Sequence, residues 1–572
     1  MVLIISKMNL SHNEDYHKLA INEKVNFLSF VFNLGEAGLK RLFKFPGENF
    51  SLWWFSSIAV KSPFRSDYYE RLISHLSVGS GTDPSNSNNR KNRSIFFYFF
   101  RGIYYLCYYF ARLIKIKGML KDFKRRKSCL GSMDYIIVSY FPLIDKVKSE
   151  NSIFENMYLA PFHRILDEKR KDNYAHICLQ STIDGYSFED AIKMANQFNK
   201  NQKVFFLEEF VKLSHVLLFF FYYFYYILLF VLNIKVIRQK SNYSYNGKSY
   251  NTWQILKEDF YDSFCGEHLV TSIWFILLFR ELTKSVKQDS KIIAICEMQW
   301  WEKALYLFAK KRGIMTIGFQ HCIVPELVFN YFNIPQEFSG NNLQESCPLP
   351  DYLATVGDTT KQLLIKYGWP KERVFVWGAQ RFEELKNLKG SALGWKNRKN
   401  YLVCALPMEY LEMCKVLSML EHAFIKHPGY KIILKSHPVG VNLGQTIEKL
   451  GLNFSSETFE MTQEALTEIL KYAKAMLVTE SSSSLYAVAY GIPVIVPRFI
   501  NKLDYNPLSY ISDIPIYVYS SEELRKISDQ VMRSSEPPLV NDDCDNFLKN
   551  YFYFPEDEEE YLEKIDGLKY RG

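Results

Sequence analysis

From residue 291 to the carboxyl terminus, short apolar runs alternate with stretches whose apolar residues recur at helical spacing. Residues 291–297 (KIIAICE) read as a buried strand, 300–311 as a helix and 314–320 as the next strand. After a looser stretch with Pro335, Pro348 and Pro350, further strands begin at Tyr352, Arg373, Tyr401, Lys431, Ala475 and Ile514. Helical patterns over 359–367, 408–427, 462–473 and 483–490 separate most of them. This alternation predicts parallel, doubly wound sheets in two Rossmann-like units. The boundary is expected near 340–350, giving domains 1–345 and 346–572.

The earlier part is patterned differently. Residues 95–110 (IFFYFFRGIYYLCYYF) hold ten aromatics, and the following stretch to Lys127 carries eight Lys or Arg against Asp122. Residues 216–232 are seventeen uncharged, mostly aromatic or branched positions, followed by Lys235, Arg238 and Lys240. Seventeen helical residues reach only about 26 Å, at the short edge of a ~30 Å hydrocarbon core. Strand-like runs at 135–139, 176–179 and 204–207 lie between the two stretches and would be carried across the membrane by a pair of spans. The expectation is two helices in the membrane interface, aromatics at headgroup depth and basic residues on anionic phosphate. A helical hairpin buried within the protein is the alternative. Residues 77–93, polar and turn-rich, read as a linker.

At 572 residues the chain is too long for one compact unit, and 70 basic against 62 acidic side chains leave a mild +8 that requires no nucleic-acid partner. Ten cysteines without a CxxC pair or zinc spacing indicate a reducing compartment. The amino terminus lacks a secretory pattern. The expected location is cytoplasmic, peripheral to the inner face of the membrane.

Two segments carry candidate chemistry. Lys435-Ser436-His437-Pro438 directly follows a strand, where a doubly wound sheet binds ligands. His437 there can bond a phosphate oxygen or protonate a leaving phosphate, or merely cap a turn. The second segment runs from Val478 through Glu480, Ser481, Ser482, Ser483 and Ser484 to Pro497 and reads as strand, hydroxyl-rich turn, helix, strand. Four serines at a helix start can hold an anion, beyond the single N-cap a helix needs. P-loop, nucleophile-elbow and HExxH motifs are absent from the sequence, and there is no isolated Asp-x-Asp of the metal-dependent glycosyltransferase type.

The K-x-HP segment paired with a serine turn and A-x-x-Y-G-I-P-V-I resembles GT-B glycosyltransferases, above all bacterial sialyltransferases and Kdo transferases. In that resemblance, Lys435, Pro438, Glu480 and Ser481 to Ser484 hold the phosphate of a CMP-activated sugar. Further segments are similar to bacterial surface-carbohydrate biosynthesis proteins: Glu297-Met-Gln-Trp-Trp-Glu-Lys-Ala-Leu305, Gly318-Phe-Gln-His321, Gly378-Ala-Gln-Arg381, Ser51-Leu-Trp-Trp-Phe55 and Ala59-Val-Lys-Ser-Pro63. The resemblance implies donor contacts at Gly378 and Arg381 and a cleft position for Gln320 and His321. The acidic motif that supplies the base in sialyltransferases is not found. Glu297, at a strand's carboxyl end, is the substitute, unless it is a surface carboxylate beside Lys303.

The implied enzyme moves a Kdo-like or nonulosonic acid from its CMP donor to a lipid-linked or oligosaccharide acceptor, with Glu297 as base and His437 stabilising the leaving CMP. No cofactor is implied, and no metal need be obligatory. The competing readings are a CDP-polyol phosphotransferase on the same phosphate site and a non-catalytic membrane scaffold.

Overall fold

A computed structural model describes residues 2–78, 93–119, 128–141, 154–180, 187–198, 202–212, 214–338, 346–386, 388, 393–437, 442–499, 502–509, 512–537 and 541–570. Most of the linker read at 77–93, the basic cluster 124–127 and Pro438 lie outside them.

Two parallel sheets organise the chain. The first contains β1 (Tyr135–Phe141), β2 (Tyr174–Gln180), β3 (Val204–Phe206) and, after the antiparallel hairpin β4 (Asn242–Tyr245) and β5 (Lys248–Asn251), β6 (Lys291–Ile295), β7 (Met315–Phe319), β8 (Tyr352–Thr355) and β9 (Val374–Val376), in the order 3-2-1-6-7-8-9. The second contains β10 (Tyr401–Ala405), β11 (Lys431–Lys435), β12 (Phe459–Thr462), β13 (Ala475–Val478), β14 (Val494–Pro497) and β15 (Pro515–Val518), in the order 12-11-10-13-14-15. This is the pair of Rossmann-like units expected. The central strands are apolar because helices and loops cover both faces, and Ile292, Ile293 and Ala294 are fully buried.

The expected boundary is corrected. β8 pairs with β7 and β9 with β8, so the first sheet continues to Val376 and the second begins at Tyr401. The proline-bearing stretch before Tyr352 is an excursion between neighbouring strands, which turn signals alone do not distinguish from a linker. The carboxyl terminus also leaves the second unit. The helix Glu559–Asp566 packs on the helix Ala160–Lys169 of the first unit, where Arg164 bonds Glu383 at 2.8 Å and Glu558.

Alternate strand residues feed different cores. Ile136 and Val138 join a helical layer, whereas Ile137 faces a core shared with the second sheet and the returning terminus. Within that layer the helix Glu267–Thr283 is apolar nearly all round, as buried helices are, and Trp253–Cys265 packs beside it with Trp253, Ile255, Leu256, Phe260 and Phe264 buried. Both aromatic stretches are helices, longer than read: Ile95–Met119 and Ser214–Lys240. They meet each other through Tyr109 and Phe219 and through the Tyr223 hydroxyl, which donates to Phe99 O at 3.1 Å. One face of each packs inward, and the other exposes Phe96, Phe100, Leu217, Phe221, Leu228 and Leu232. Ser214–Lys240 is long and apolar enough to cross a membrane, yet Tyr222, Tyr223, Tyr226 and Phe230 on it are buried in the protein.

Candidate functional site

Each sheet has a point where the strand order reverses, between β1 and β6 and between β10 and β13. The loops beyond the carboxyl ends of such strands part in opposite directions and leave a crevice. The two crevices open into one cleft of about 970 Å³, lined by Tyr140 and Glu297 from the first sheet and Met408, Glu480 and Ser482 from the second.

Glu297 follows β6 directly. Its carboxylate is half-buried, 3.5 Å from the Tyr140 hydroxyl and 3.8 Å from His321 Nε2. Tyr140 in turn accepts the Trp301 indole N–H at 2.9 Å, so the phenol is held in place. Burial raises the Glu297 carboxyl above the usual carboxylate range, opposed by the Arg381 charge and the Tyr140 hydrogen bond. The backbone here is constrained. Met298 takes a left-handed φ of 53°, a conformation that costs a non-glycine residue about 1–3 kcal/mol. The buried Glu302 carboxylate holds the turn by accepting Glu297 N–H and Met298 N–H, both at 2.9 Å, and Asn330 Nδ2 donates to Glu297 O at 2.6 Å. Burial pushes the Glu302 carboxyl up to about 8.

The tryptophan- and lysine-rich motifs are the frame of this turn. Lys303 is buried and donates to Trp54 O at 2.9 Å and Ala59 O at 3.2 Å, tying the 297–305 segment to the 51–63 segment. Lys61 donates to Phe332 O at 2.8 Å and pairs with Glu337 at 3.2 Å, both side chains almost wholly buried. Lys303 therefore points away from Glu297, which stands in the cleft and not on the surface beside it.

Gln320 and His321 do not stand in the cleft as the resemblance implied. Both are buried beneath it, because β7 runs through the middle of the sheet and the chain turns inward after it. His321 stacks on Tyr158 at 4.3 Å, and burial with the Arg381 charge holds its imidazole far below the usual range. It backs Glu297 as a neutral ring. Neither amide atom of Gln320 is hydrogen-bonded among the described residues.

Arg381 and Gly378, expected together, separate. Arg381 lines the cleft, its guanidinium 4.7 Å from the Tyr158 ring centroid, and no carboxylate lies within ion-pair distance among the described residues. Gly378 faces the returning terminus. At its φ of 126° an added Cβ would come within 2.9 Å of Tyr561 and 3.2 Å of Tyr553 O, so the glycine permits that crossing.

On the second sheet, Glu480 and Ser482 reach the cleft. Lys502 pairs with Glu480 at 3.3 Å and Glu412 at 2.7 Å, while burial and the Glu412 charge push the Glu480 carboxyl up to about 8. The serines divide their roles. Ser481 Oγ accepts Ser483 N–H at 3.2 Å, and the buried Ser484 hydroxyl donates back to Ser481 O at 3.1 Å. Ser483 Oγ is buried without a hydrogen-bond partner among the described residues. The helix that follows, Ser484–Ala489, is only six residues long. Ser482 alone of the four opens on the cleft.

Lys435 and His437 lie apart from that cleft, in a second cavity of about 500 Å³ with Ser436, Asn442, Gly444 and Thr462. The reason is strand order: β11 and β13 flank β10, so their ends stand roughly 10 Å apart at ~4.8 Å per strand. Burial lowers the His437 imidazole, favouring its neutral form.

The cleft also contains residues that motif reading passed over: Arg65, Trp300, Trp301, Tyr140 and Tyr505. The Trp pair stood within a recognised segment, and Arg65 lies two residues beyond another, but no spacing rule marks Tyr140 or Tyr505.

No family model and no curated protein matches the chain. Among solved structures, UDP-GlcNAc 2-epimerase from Methanocaldococcus jannaschii is similar at 12% identity over 73% of this chain and 99% of that one, with a TM-score of 0.38. Anabaena HepE in complex with UDP and glucose is similar at 11% over 76% and 98%, with a TM-score of 0.38. TarM of S. aureus, in complex with UDP among other ligands, is similar at 11% over 76% and 99%, with a TM-score of 0.39. At such scores the architecture rests on this chain's own strand order.

Proposed function

We propose that this chain is a GT-B glycosyltransferase of surface-polysaccharide biosynthesis, moving an acidic sugar from a CMP-activated donor to a glycan acceptor. The observation that carries the reading is the meeting of the two strand-order reversals in one cleft, with a half-buried carboxylate on one wall and a serine turn on the other. The nucleotide lies across the carboxyl end of β10, one end in the His437 cavity and the phosphate toward Ser482. That placement reconciles the paired HP and serine segments with their separation. Arg381, cationic and without a carboxylate partner, suits the donor's own carboxylate or phosphate.

Chemically, the acceptor hydroxyl oxygen attacks the anomeric carbon as Glu297 takes its proton. The bond from that carbon to the phosphate oxygen breaks, and CMP leaves with the electron pair. Ser482 and Arg381 stabilise the charge that develops on its phosphate, and a neutral His437 holds the nucleoside end on the far side of β10. The exposed faces of the two aromatic helices, with Lys115, Lys235, Arg238 and Lys240 close by, support a peripheral position on the inner face of the membrane.

A thermal-shift panel of CMP, CDP, UDP and GDP tests the donor class. A nucleotide at a hundred times its dissociation constant stabilises by about 2.7 kcal/mol. CMP should raise the midpoint most, and mass analysis of products should find a new glycosidic bond. A largest shift with UDP would move the donor to a UDP-sugar, a new phosphodiester would move the enzyme to the phosphotransferases, and no shift with any nucleotide would remove the enzymatic reading.

A further inference from the structure

The cleft contains a second cation that the donor chemistry leaves unused. The Arg65 guanidinium sits over the Trp300 ring, 3.8 Å from its centroid, and opens on the same cleft as Glu297. Glu267 and Asp262 act on it from a distance, but Glu267 is ion-paired to Arg101, and Asp262 accepts His268 N–H at 3.4 Å. Among the described residues no carboxylate reaches Arg65 within ion-pair distance, and its side chain makes no hydrogen bond. An arginine held by stacking keeps its fork of N–H donors in a fixed plane, the geometry that phosphate matches.

The wall beside Arg65 is apolar and continues out of the cleft. Tyr104, Tyr105 and Tyr108 of the helix Ile95–Met119 line the cleft, and Tyr104 and Tyr108 also belong to the helix's exposed side, 65% and 43% accessible. From them the surface runs on to Phe96 and Phe100 without leaving the helix. A ligand with its charged end on Arg65 would therefore find aromatic surface from the reaction centre to the outside.

We infer that this is the acceptor's anchor site, and that the acceptor is an amphiphile: a sugar joined through phosphate to a long apolar chain, the phosphate on Arg65 and the chain along Tyr104 and Tyr108. The inference rests on the acceptor half of the proposed function and commits it to one of the two acceptor classes, a lipid-linked one. A free neutral oligosaccharide would leave the guanidinium without an anion and the outer aromatic residues without an apolar chain.

Binding of soluble probes to the full chain tests this without any donor. Calorimetry, with Trp300 contributing to a fluorescence readout, would compare farnesyl diphosphate, inorganic pyrophosphate, farnesol and phosphatidylglycerol vesicles. Farnesyl diphosphate should bind about tenfold or more tighter than either pyrophosphate or farnesol. Arg65→Ala should remove the margin over farnesol, by the size of a lost charge-assisted hydrogen bond, while farnesol binding stays as it was. Arg65→Lys should recover part of it. Equal binding of pyrophosphate and farnesyl diphosphate would make this a free-phosphate site and overturn the inference. So would an unaltered preference in a folded Arg65→Ala protein, or vesicle binding that depends on Arg65 as strongly, which would assign the cation to membrane headgroups. Stabilisation by CMP should be the same in Arg65→Ala and wild type. A protein that responds to CMP but shows no diphosphate preference loses this inference alone, and the converse result loses the donor reading alone.

Discussion

Glu297 combines the two properties a general base needs, access to the cleft and a proton affinity above that of an ordinary carboxylate. Because its carboxyl is raised by burial, the base is lost to protonation at a higher pH than a solvated glutamate would be. Transfer should therefore fall as pH drops through the weakly acidic range, and the profile should lose that limb in Glu297→Gln. That variant should also retain only a small residual transfer, on which the profile is read, while keeping CMP binding, as calorimetry would show; full transfer by it would place the base elsewhere. Residue types at this site were legible in the sequence, but their roles were not always so. A lysine in a motif looks the same whether it meets a substrate or a carbonyl, and Lys61 and Lys303 meet carbonyls. Lys61→Ala would leave Glu337 buried without its cation, which typically costs about 3–5 kcal/mol. Urea unfolding should register a loss of that order, whereas a change within 1 kcal/mol, roughly the worth of an exposed pair, would mean the pair is solvated.

At the scale of elements, the periodicity of the strands identified them well, because a buried parallel strand is an uninterrupted apolar run. Strand order was not legible. It depends on which edges meet in three dimensions, and so the sequence reading attached β8 and β9 to the wrong sheet and brought His437 and Ser482 to one spot. The aromatic helices were legible as helices, though not how they divide into a packed and an open face. Their open faces yield a prediction. Phe100 and Leu217 are 66% and 78% accessible, so replacing both with serine should leave the folding midpoint nearly unchanged. It should also raise the soluble fraction in a membrane flotation assay. Apolar insertion is not screened by salt, so high salt should not mimic the substitution. Unchanged flotation of the double variant would detach these faces from the membrane.

The whole molecule places its chemistry where its two sheets face one another. The segment following β14 reaches across, with Leu503 N–H donating to Glu70 of the first unit at 3.0 Å, and the carboxyl-terminal helix returns to the same unit. The first joins residues 433 positions apart and the second, through Arg164 and Glu558, residues 394 positions apart, and no local pattern foretold either. They hold the serine turn opposite Glu297, on which the proposed transfer depends. The most direct test of that account is titration of CMP into the wild type, His437→Ala and Ser482→Ala by calorimetry, with each variant's fold checked by its melting midpoint. A nucleotide spanning the end of β10 predicts that both substitutions weaken binding, each by several-fold or more, from opposite sides of that strand. Unchanged CMP affinity in both variants would contradict it, and the cleft would then have to be read without a nucleotide.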